Sequence, residues 1–284
     1  MATIGLLHPG EMGAAVGGCL VSVGHEVLWD PAGRSRASTG RALAAGLSGV
    51  NFGALIERSS AILSICPPHA ALGVAQQVAG AGYAGLYVDA NAISVATAAQ
   101  VSGIVTAAGA TYVDGGIIGM PPETAGHTRL YLAGPRANEV RVLFARSALD
   151  ARIAEGPLYA ASAVKMAYAA WTKGSSALLL AARALARAEG VERTLLAEWS
   201  LSQPALSARS EGAAGSAAAK GWRWVAEMEE IAASMTAAGL PAGFHEAAAD
   251  IYNRASKADA PATRRPAPAQ EPPSTLDTVI SALM

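Results

Sequence analysis

Charge and aromatic rings are scarce in this sequence. Only 15% of its residues are charged and 5% aromatic, against 52% hydrophobic. That excludes an intrinsically disordered chain and leaves apolar side chains enough for a large core. Neither sign of charge dominates: 21 Lys and Arg stand against 22 Asp and Glu, a formal net charge of -1, so no long-range positive field would hold a nucleic acid. Cysteine is nearly absent too. Cys19 and Cys66 cannot build a disulfide framework, and Met1 leads into strand-like sequence instead of a basic segment and an apolar signal core, so a reducing, cytoplasmic setting is expected. Long apolar runs are missing: Ala177 to Ala182 is followed by Arg183 and Arg187, well short of the roughly 20 residues that span a bilayer. The histidines, His8, His25, His69, His127 and His245, have no metal-ligand spacing, and no metal is expected. A Gly-x-Ser-x-Gly elbow and a Walker loop are also lacking, which argues against a serine hydrolase or an ATPase.

What is present is alanine, glycine and a regular alternation of element types. The 284 residues suggest about two domains. Short β-rich runs at Thr3–Leu7, Glu26–Trp29, Ala61–Ile65, Leu86–Asp89 and Thr111–Asp114 are separated by alanine-rich amphipathic segments. Strands joined by helical crossovers, without hairpin turn signals, predict a parallel, doubly wound α/β sheet covered on both faces. Further strands at Arg129–Ala133 and near Arg152–Ala154 would extend its edge before Gly156-Pro157, where the pattern predicts the end of a domain spanning 1–156. From Tyr159 on the pattern is all-α: a long interdomain helix, Tyr159–Glu189, then helices at Leu195–Leu201, Lys220–Ala238 and Ala242–Ala255, giving a helical substrate and dimerisation domain over 157–257. Residues 258–284 read as a proline-rich linker, Ala260–Ser274, and a short apolar helix, Leu276–Leu283, either docked, conceivably on a dimer partner, or frayed.

The strongest local signal lies between the first strand and the helix after it: Gly5-Leu6-Leu7-His8-Pro9-Gly10-Glu11-Met12-Gly13. A dinucleotide fold needs glycine where the backbone turns tightly toward a pyrophosphate and again where helix meets strand, with helix N-terminal amides facing the anion. Gly10 and Gly13 occupy those places, while His8 replaces the first glycine of the Gly-x-Gly-x-x-Gly fingerprint. At the end of the second strand, Asp30 would accept hydrogen bonds from the adenosine ribose and select NAD. Arg34 and Ser35, after Gly33, would hold a 2′-phosphate and select NADP. A carboxylate about 4 Å from a phosphate charge costs roughly 4 kcal/mol at an effective dielectric of 20, so the two readings exclude each other in one geometry. The Gly33-Arg34-Ser35 turn, opening the next helix, favours NADP.

These residues resemble the opening of the 6-phosphogluconate and β-hydroxyacid dehydrogenases, in particular their relatives with a C-terminal helical domain of unassigned function. The resemblance covers nearly the whole chain and extends to Cys66-Pro67-Pro68-His69, Asp89-Ala90-Asn91 and Asp114-Gly115-Gly116 with Gly119. It implies that Cys66, Pro67, Pro68 and Asn91 face the cofactor and that Asn91, Gly115 and Gly116 position the substrate, in keeping with ligands lying at the carboxyl ends of parallel strands. It also implies that Lys165, in Ser162-Ala163-Val164-Lys165-Met166-Ala167-Tyr168, matches the family's catalytic lysine. The asparagine and histidine that follow it in the family are replaced by Tyr168 and Ala169, and Thr172 stands where the sugar-acid enzymes have glutamate, so 6-phosphogluconate itself is disfavoured.

Read from the residues alone, Lys165 among apolar neighbours has its neutral form favoured, as a general acid or base requires; the bland alternative is a lysine whose stem covers an apolar face. Tyr168 and Thr172, at i+3 and i+7, share its helix face, Tyr168 as a possible proton donor or as a core tyrosine. The cluster Trp222-Arg223-Trp224-Val225-Ala226-Glu227 makes Trp222 and Glu227 candidates for substrate contacts, or else a solvated face with packed rings. The resulting expectation is an NAD(P)-dependent oxidoreductase, with NADP preferred, acting on a small hydroxy or carbonyl substrate, and a homodimer paired through the helical domain. The alternatives are an imine reductase, against which the retained lysine argues modestly, and a nucleotide-binding sensor without turnover.

Overall fold

The computed structural model describes residues 1–257 and 274–284. The proline-rich stretch expected within 258–273 lies outside them. The chain divides into two compact units, Met1–Met166 and Ala167–Met284.

The first unit holds β1 (Thr3–Leu7), α1 (Glu11–Ser22), β2 (Glu26–Trp29), α2 (Arg36–Ala44), β3 (Ser48–Gly49), α3 (Phe52–Arg58), β4 (Ala61–Ser64), α4 (Ala71–Gly80), β5 (Leu86–Asp89), α5 (Val95–Ala107), β6 (Thr111–Ile118), β7 (Thr128–Ala133), α6 (Ala137–Leu143), β8 (Leu149–Ile153) and the first turns of α7 (Ala160–Ala188). The eight strands form one sheet in the order β3-β2-β1-β4-β5-β6-β7-β8. Side chains alternate faces along each strand, so one sheet feeds two cores. Ile4, Leu6, Leu63, Val88 and Val113 pack with Val16 and Leu20 of α1 and Val140 of α6. Leu7, Ile62, Tyr87 and Tyr112 pack with Leu55 of α3, Val74 of α4 and Val101 of α5. Burial on both faces explains why these strands read as near-continuous apolar runs.

Three departures from the sequence pattern have physical causes. β7 runs antiparallel to β6, with Ile118 opposite Arg129 and Asp114 opposite Ala133. The connection, residues 119–127, is too long for a tight hairpin and carries no two-residue turn signal; glycines with φ of 127° and 87° at Gly119 and Gly126 turn it instead. β8 starts at Leu149, earlier than expected, and the two-residue edge strand β3 has no apolar pattern to announce it.

The second unit contains the rest of α7, α8 (Glu192–Ser202), α9 (Leu206–Ala237), α10 (Gly243–Ala255) and α11 (Thr275–Leu283). α9 begins fourteen residues before the expected Lys220 (220 − 206). Its first half carries Gly212, Gly215 and Gly221, which lower helix propensity and hide the pattern, yet Ala213, Ala214, Ala217 and Ala218 are buried there. At Gly221 a Cβ would stand 3.0 Å from the Tyr252 carbonyl oxygen, so glycine permits the close approach of α10. The tail helix is docked on α9 and α10 of its own chain. Leu276, Val279 and Ile280 are buried, Ser274 and Asp277 form a capping box, and Arg187 pairs with Asp277 at 2.8 Å.

Candidate nucleotide and proton-transfer site

The reversal of strand order between β1 and β4 leaves a crevice at their carboxyl ends, the position at which open α/β sheets take ligands. The loop between β1 and α1 fills one side. Its backbone is folded by Gly10 N–H donating to the His8 carbonyl at 2.8 Å. A Cβ on Gly13 would stand 2.4 Å from that same oxygen, whereas one on Gly10 would meet nothing within 4 Å. Gly13 is therefore required for packing, and Gly10 leaves the approach to α1 open. Gly10 caps α1 without a side-chain hydrogen bond, so the amides of the first turn are not spent on a capping side chain. Pro9 is buried; Glu11 and Met12 begin α1.

A pocket beside this loop is lined by Leu6, Leu7, His8, Asp30, Arg34, Phe52, Val74 and Gln77. It brings together His8, Asp30 and Arg34, which sequence singled out separately. The Nδ1 of His8 and the Nε of Arg34 are buried without hydrogen-bond partners. Burial, with the Arg34 cation nearby, lowers the His8 imidazole to about 4. Asp30 is half spent on the turn, accepting from the Ala32 amide at 2.9 Å, where Gly33 has φ 70°. Ser35 caps α2, accepting from the Ser38 amide at 3.2 Å and donating to the Ser38 hydroxyl at 3.1 Å. Arg34 is thus the member of the expected phosphate-binding pair whose side chain faces the pocket. Phe52, Val74 and Gln77 were missed: they come from two crossovers, Phe52 from α3 and the other two from α4, and no local motif marks them.

At the ends of β4, β5 and β6 lies a row fixed by register: Ser64 pairs with Asp89 and Asp89 with Asp114. Asn91 closes it. Its amide nitrogen donates to the Ser64 hydroxyl at 3.1 Å, its carbonyl accepts from the Cys66 amide at 2.6 Å, and its backbone N–H donates to Asp89 at 2.9 Å. Asn91 therefore holds the Cys66-Pro67-Pro68 loop in place. The Cys66 thiol, pushed up to about 12 by burial and by the Asp89 carboxyl, is not a nucleophile.

The two buried carboxyls differ. Asp114 accepts from the Ser162 amide at 2.8 Å and the Ser162 hydroxyl at 2.5 Å, anchoring the first turn of α7. Asp89 retains one oxygen without a partner, and burial, with the Asp114 charge beside it, raises it to about 7. Burial raises Asp114 as well, while the hydrogen bonds from Ser162 oppose that rise by favouring the anion. Sequence reading placed Asp114 and Ser162 in motifs but missed their contact, which only strand register reveals.

One turn beyond Ser162 stands Lys165, half-buried. A Cβ on Gly116 would stand 2.6 Å from the Ala161 carbonyl oxygen and 3.0 Å from the Lys165 Cβ. Gly115 is equally constrained, its Cβ falling 2.7 Å from the Asp89 carbonyl oxygen. These glycines serve close backbone packing, which sets Lys165 against the end of β6.

In the helical unit, Tyr168 is exposed and its carbonyl accepts from the Thr172 hydroxyl at 3.1 Å. Glu227 is buried in an ion pair with Lys173, whose ammonium lies 5.4 Å from the Trp224 ring. Trp222 is exposed under the Arg223 guanidinium, 4.9 Å from its ring centre. His245 is buried. A separate cavity of about 500 Å³, lined by Arg141, Phe144, Arg146, Leu149 and Asp150 among others, contains none of the residues singled out from sequence. Among the described residues, no group of three or more His, Cys, Asp or Glu is placed to hold a metal ion, and no helix is long and apolar enough to cross a membrane.

Comparison with known proteins gives a consistent picture. Residues 186–255 match a domain of unknown function, DUF1932; no curated protein matches the chain. Among solved structures, conserved protein MTH1747, of unknown function and similar to 3-hydroxyacid dehydrogenases, shares 25% identity at a TM-score of 0.66, covering 89% of this chain and 97% of that one. The 3-hydroxyisobutyrate dehydrogenase of Mycobacterium tuberculosis, solved with L-serine, shares 19% identity at 0.69, covering 100% and 99%. An imine reductase variant from Myxococcus stipitatus, in complex with NAD+, shares 18% at 0.58, covering 91% and 95%. Fold and crevice together define a protein with an N-terminal Rossmann-type sheet and a C-terminal helical region. Within that class, residues 186–255 match DUF1932, and the architecture over nearly the whole chain is similar to that of the 3-hydroxyisobutyrate dehydrogenase and of MTH1747.

Proposed function

We propose that the protein is an NADP-dependent oxidoreductase acting on a small hydroxy or carbonyl substrate, with Lys165 as general acid and base. The observation that carries this reading is the pocket in which the glycine loop, Arg34 and His8 converge, with buried nitrogens of both side chains unpartnered. Such a site fits a dinucleotide: the open face at Gly10 receives the pyrophosphate, the α1 amides face it, and Arg34 meets the 2′-phosphate. Asp30, engaged in its turn, supports NADP over NAD. The bound nicotinamide would supply or accept hydride. The chain's own part is to exchange the substrate's proton at Lys165 Nζ, with Tyr168 as an auxiliary donor, and to hold the lysine in register through Gly116 and the Asp114–Ser162 anchor.

The Cys66-Pro67-Pro68 loop, held by Asn91, forms the wall toward the nicotinamide. Gly115 and Gly116 keep the β6 end narrow for a small substrate. The chain is a homodimer in this reading, paired through α7. Trp171, Leu178 and Leu185 are exposed on that helix at a seven-residue spacing, an apolar stripe suited to a second copy.

The test is replacement of Lys165 by Met, assayed as NADPH oxidation against a panel of carbonyls and imines. Turnover should fall by about 10²- to 10⁴-fold, the usual contribution of a placed acid or base, at unchanged nucleotide affinity. Equal turnover in the variant would remove Lys165 from the chemistry. A wild-type preference for imines would move the substrate class to C=N bonds.

A further inference from the structure

His8 carries more than a phosphate-binding loop requires. It occupies a glycine position, and its backbone is left-handed at φ 68°, which costs a side-chain-bearing residue on the order of 1 kcal/mol. The Gly10 amide at 2.8 Å from its carbonyl, and α1 pressed on the same oxygen at Gly13, hold it there. The side chain lines the pocket with Asp30, Arg34, Phe52, Val74 and Gln77, its Nδ1 buried and without a partner.

The charged groups about it are few. Asp30 and Arg34 come from the loop after β2, and Glu11 opens α1; Phe52 of α3 and Val74 and Gln77 of α4 bring no charge. Cys66, close enough to Arg34 to feel its charge, remains a neutral thiol. Burial and Arg34 keep the imidazole neutral above its lowered value of about 4.

We propose that His8 is a proton-linked ligand for a phosphate of the bound nucleotide: as the oxyanion enters beside Arg34, one proton passes from solvent to the imidazole, which then donates a charge-assisted hydrogen bond to it. The inference rests on the nucleotide-binding reading above. An anion within a few ångströms offsets the Arg34 field and favours the imidazolium, so the complex holds one proton more than the free protein. Affinity accordingly rises as pH falls through the pKa of the complex, by up to about tenfold per pH unit, and levels off below about 4, where the free site is itself protonated.

The experiment is fluorescence titration of the full chain with NADPH and with NADH between pH 5 and 8, for the wild type, His8→Asn and His8→Gly. Glycine adopts the left-handed backbone without strain, so this variant keeps the loop. The expected result is a wild-type affinity that rises toward acid pH and flattens in both variants. A slope shared by the two nucleotides assigns the pyrophosphate, and one confined to NADPH assigns the 2′-phosphate. A slope that survives in His8→Gly, or is absent from the wild type, overturns the proposal while leaving nucleotide binding intact. A wild type that binds neither nucleotide overturns the underlying reading and this inference with it.

Discussion

The two units bury polar groups to different ends. In the helical unit, Arg183, 4% exposed, donates to Glu192 at 2.6 Å and Ser210 at 2.7 Å. Arg187 joins the same Glu192 to Asp277, and Lys173 pairs with Glu227. These ion pairs tie helices to one another. In the α/β unit the buried polar atoms gather at the strand ends, and several are unpartnered: His8 Nδ1, Arg34 Nε, the Tyr87 hydroxyl and one oxygen of Asp89. Leaving such atoms unpaired costs stability, and in the reading proposed above those of His8 and Arg34 await a bound nucleotide. The difference is one of emphasis: Arg58 and Glu26 also pair in the α/β unit, and His245 Nδ1 is buried without a partner in the helical one.

Breaking a closed cluster should cost most. Replacing Arg183 by Met leaves Ser210 without its guanidinium donor and Glu192 with Arg187 alone, and unfolding stability should drop by about 2 to 3 kcal/mol, read from urea denaturation followed by circular dichroism. A loss below about 1 kcal/mol would show that the cluster is not cohesive.

The open cluster behaves oppositely with pH. The native-state value of Asp89, about 7, lies above its unfolded value near 3.9, so the folded state binds the extra proton. Its contribution to stability is complete below about pH 4 and is lost as pH rises toward 7, at up to about 1.4 kcal/mol per pH unit. In Asp89→Asn this stretch of the stability profile should flatten. An unchanged profile would show that Asp89 ionises normally.

The smallest effect belongs to the tail. Ser274→Ala removes the capping box of α11 and should cost about 1 kcal/mol, visible as faster hydrogen exchange in α11 with the sheet unaffected. Exchange that quickens throughout the chain would mean that the tail is integral to the whole fold.

Much of this was legible in the order of residues. The near-continuous apolar runs, buried on both faces, marked β1, β2, β4, β5 and the first half of β6, and Gly10 and Gly13 marked the turn between β1 and α1. Other features depend on what register and packing bring together. The antiparallel β7 follows a long glycine-turned connection with no hairpin dipeptide. The first half of α9 is masked by glycines whose small size is used in packing. Asp89 and Asp114 stood in the strand-end motifs with no role of their own, yet strand pairing sets them side by side and commits Asp114 to α7. Asn91, read as a ligand contact, spends both ends of its amide on the β4 and Cys66 loop. Phe52 reaches the pocket from α3 and Val74 and Gln77 from α4, a convergence no linear pattern contains.

The most direct test of the reserved crevice is thermal unfolding of the purified chain with and without NADPH. At a hundredfold excess over the dissociation constant, binding adds about 2.7 kcal/mol to the folded state, and the midpoint should rise by several degrees. An unchanged midpoint with both NADPH and NADH at millimolar concentration would contradict the account.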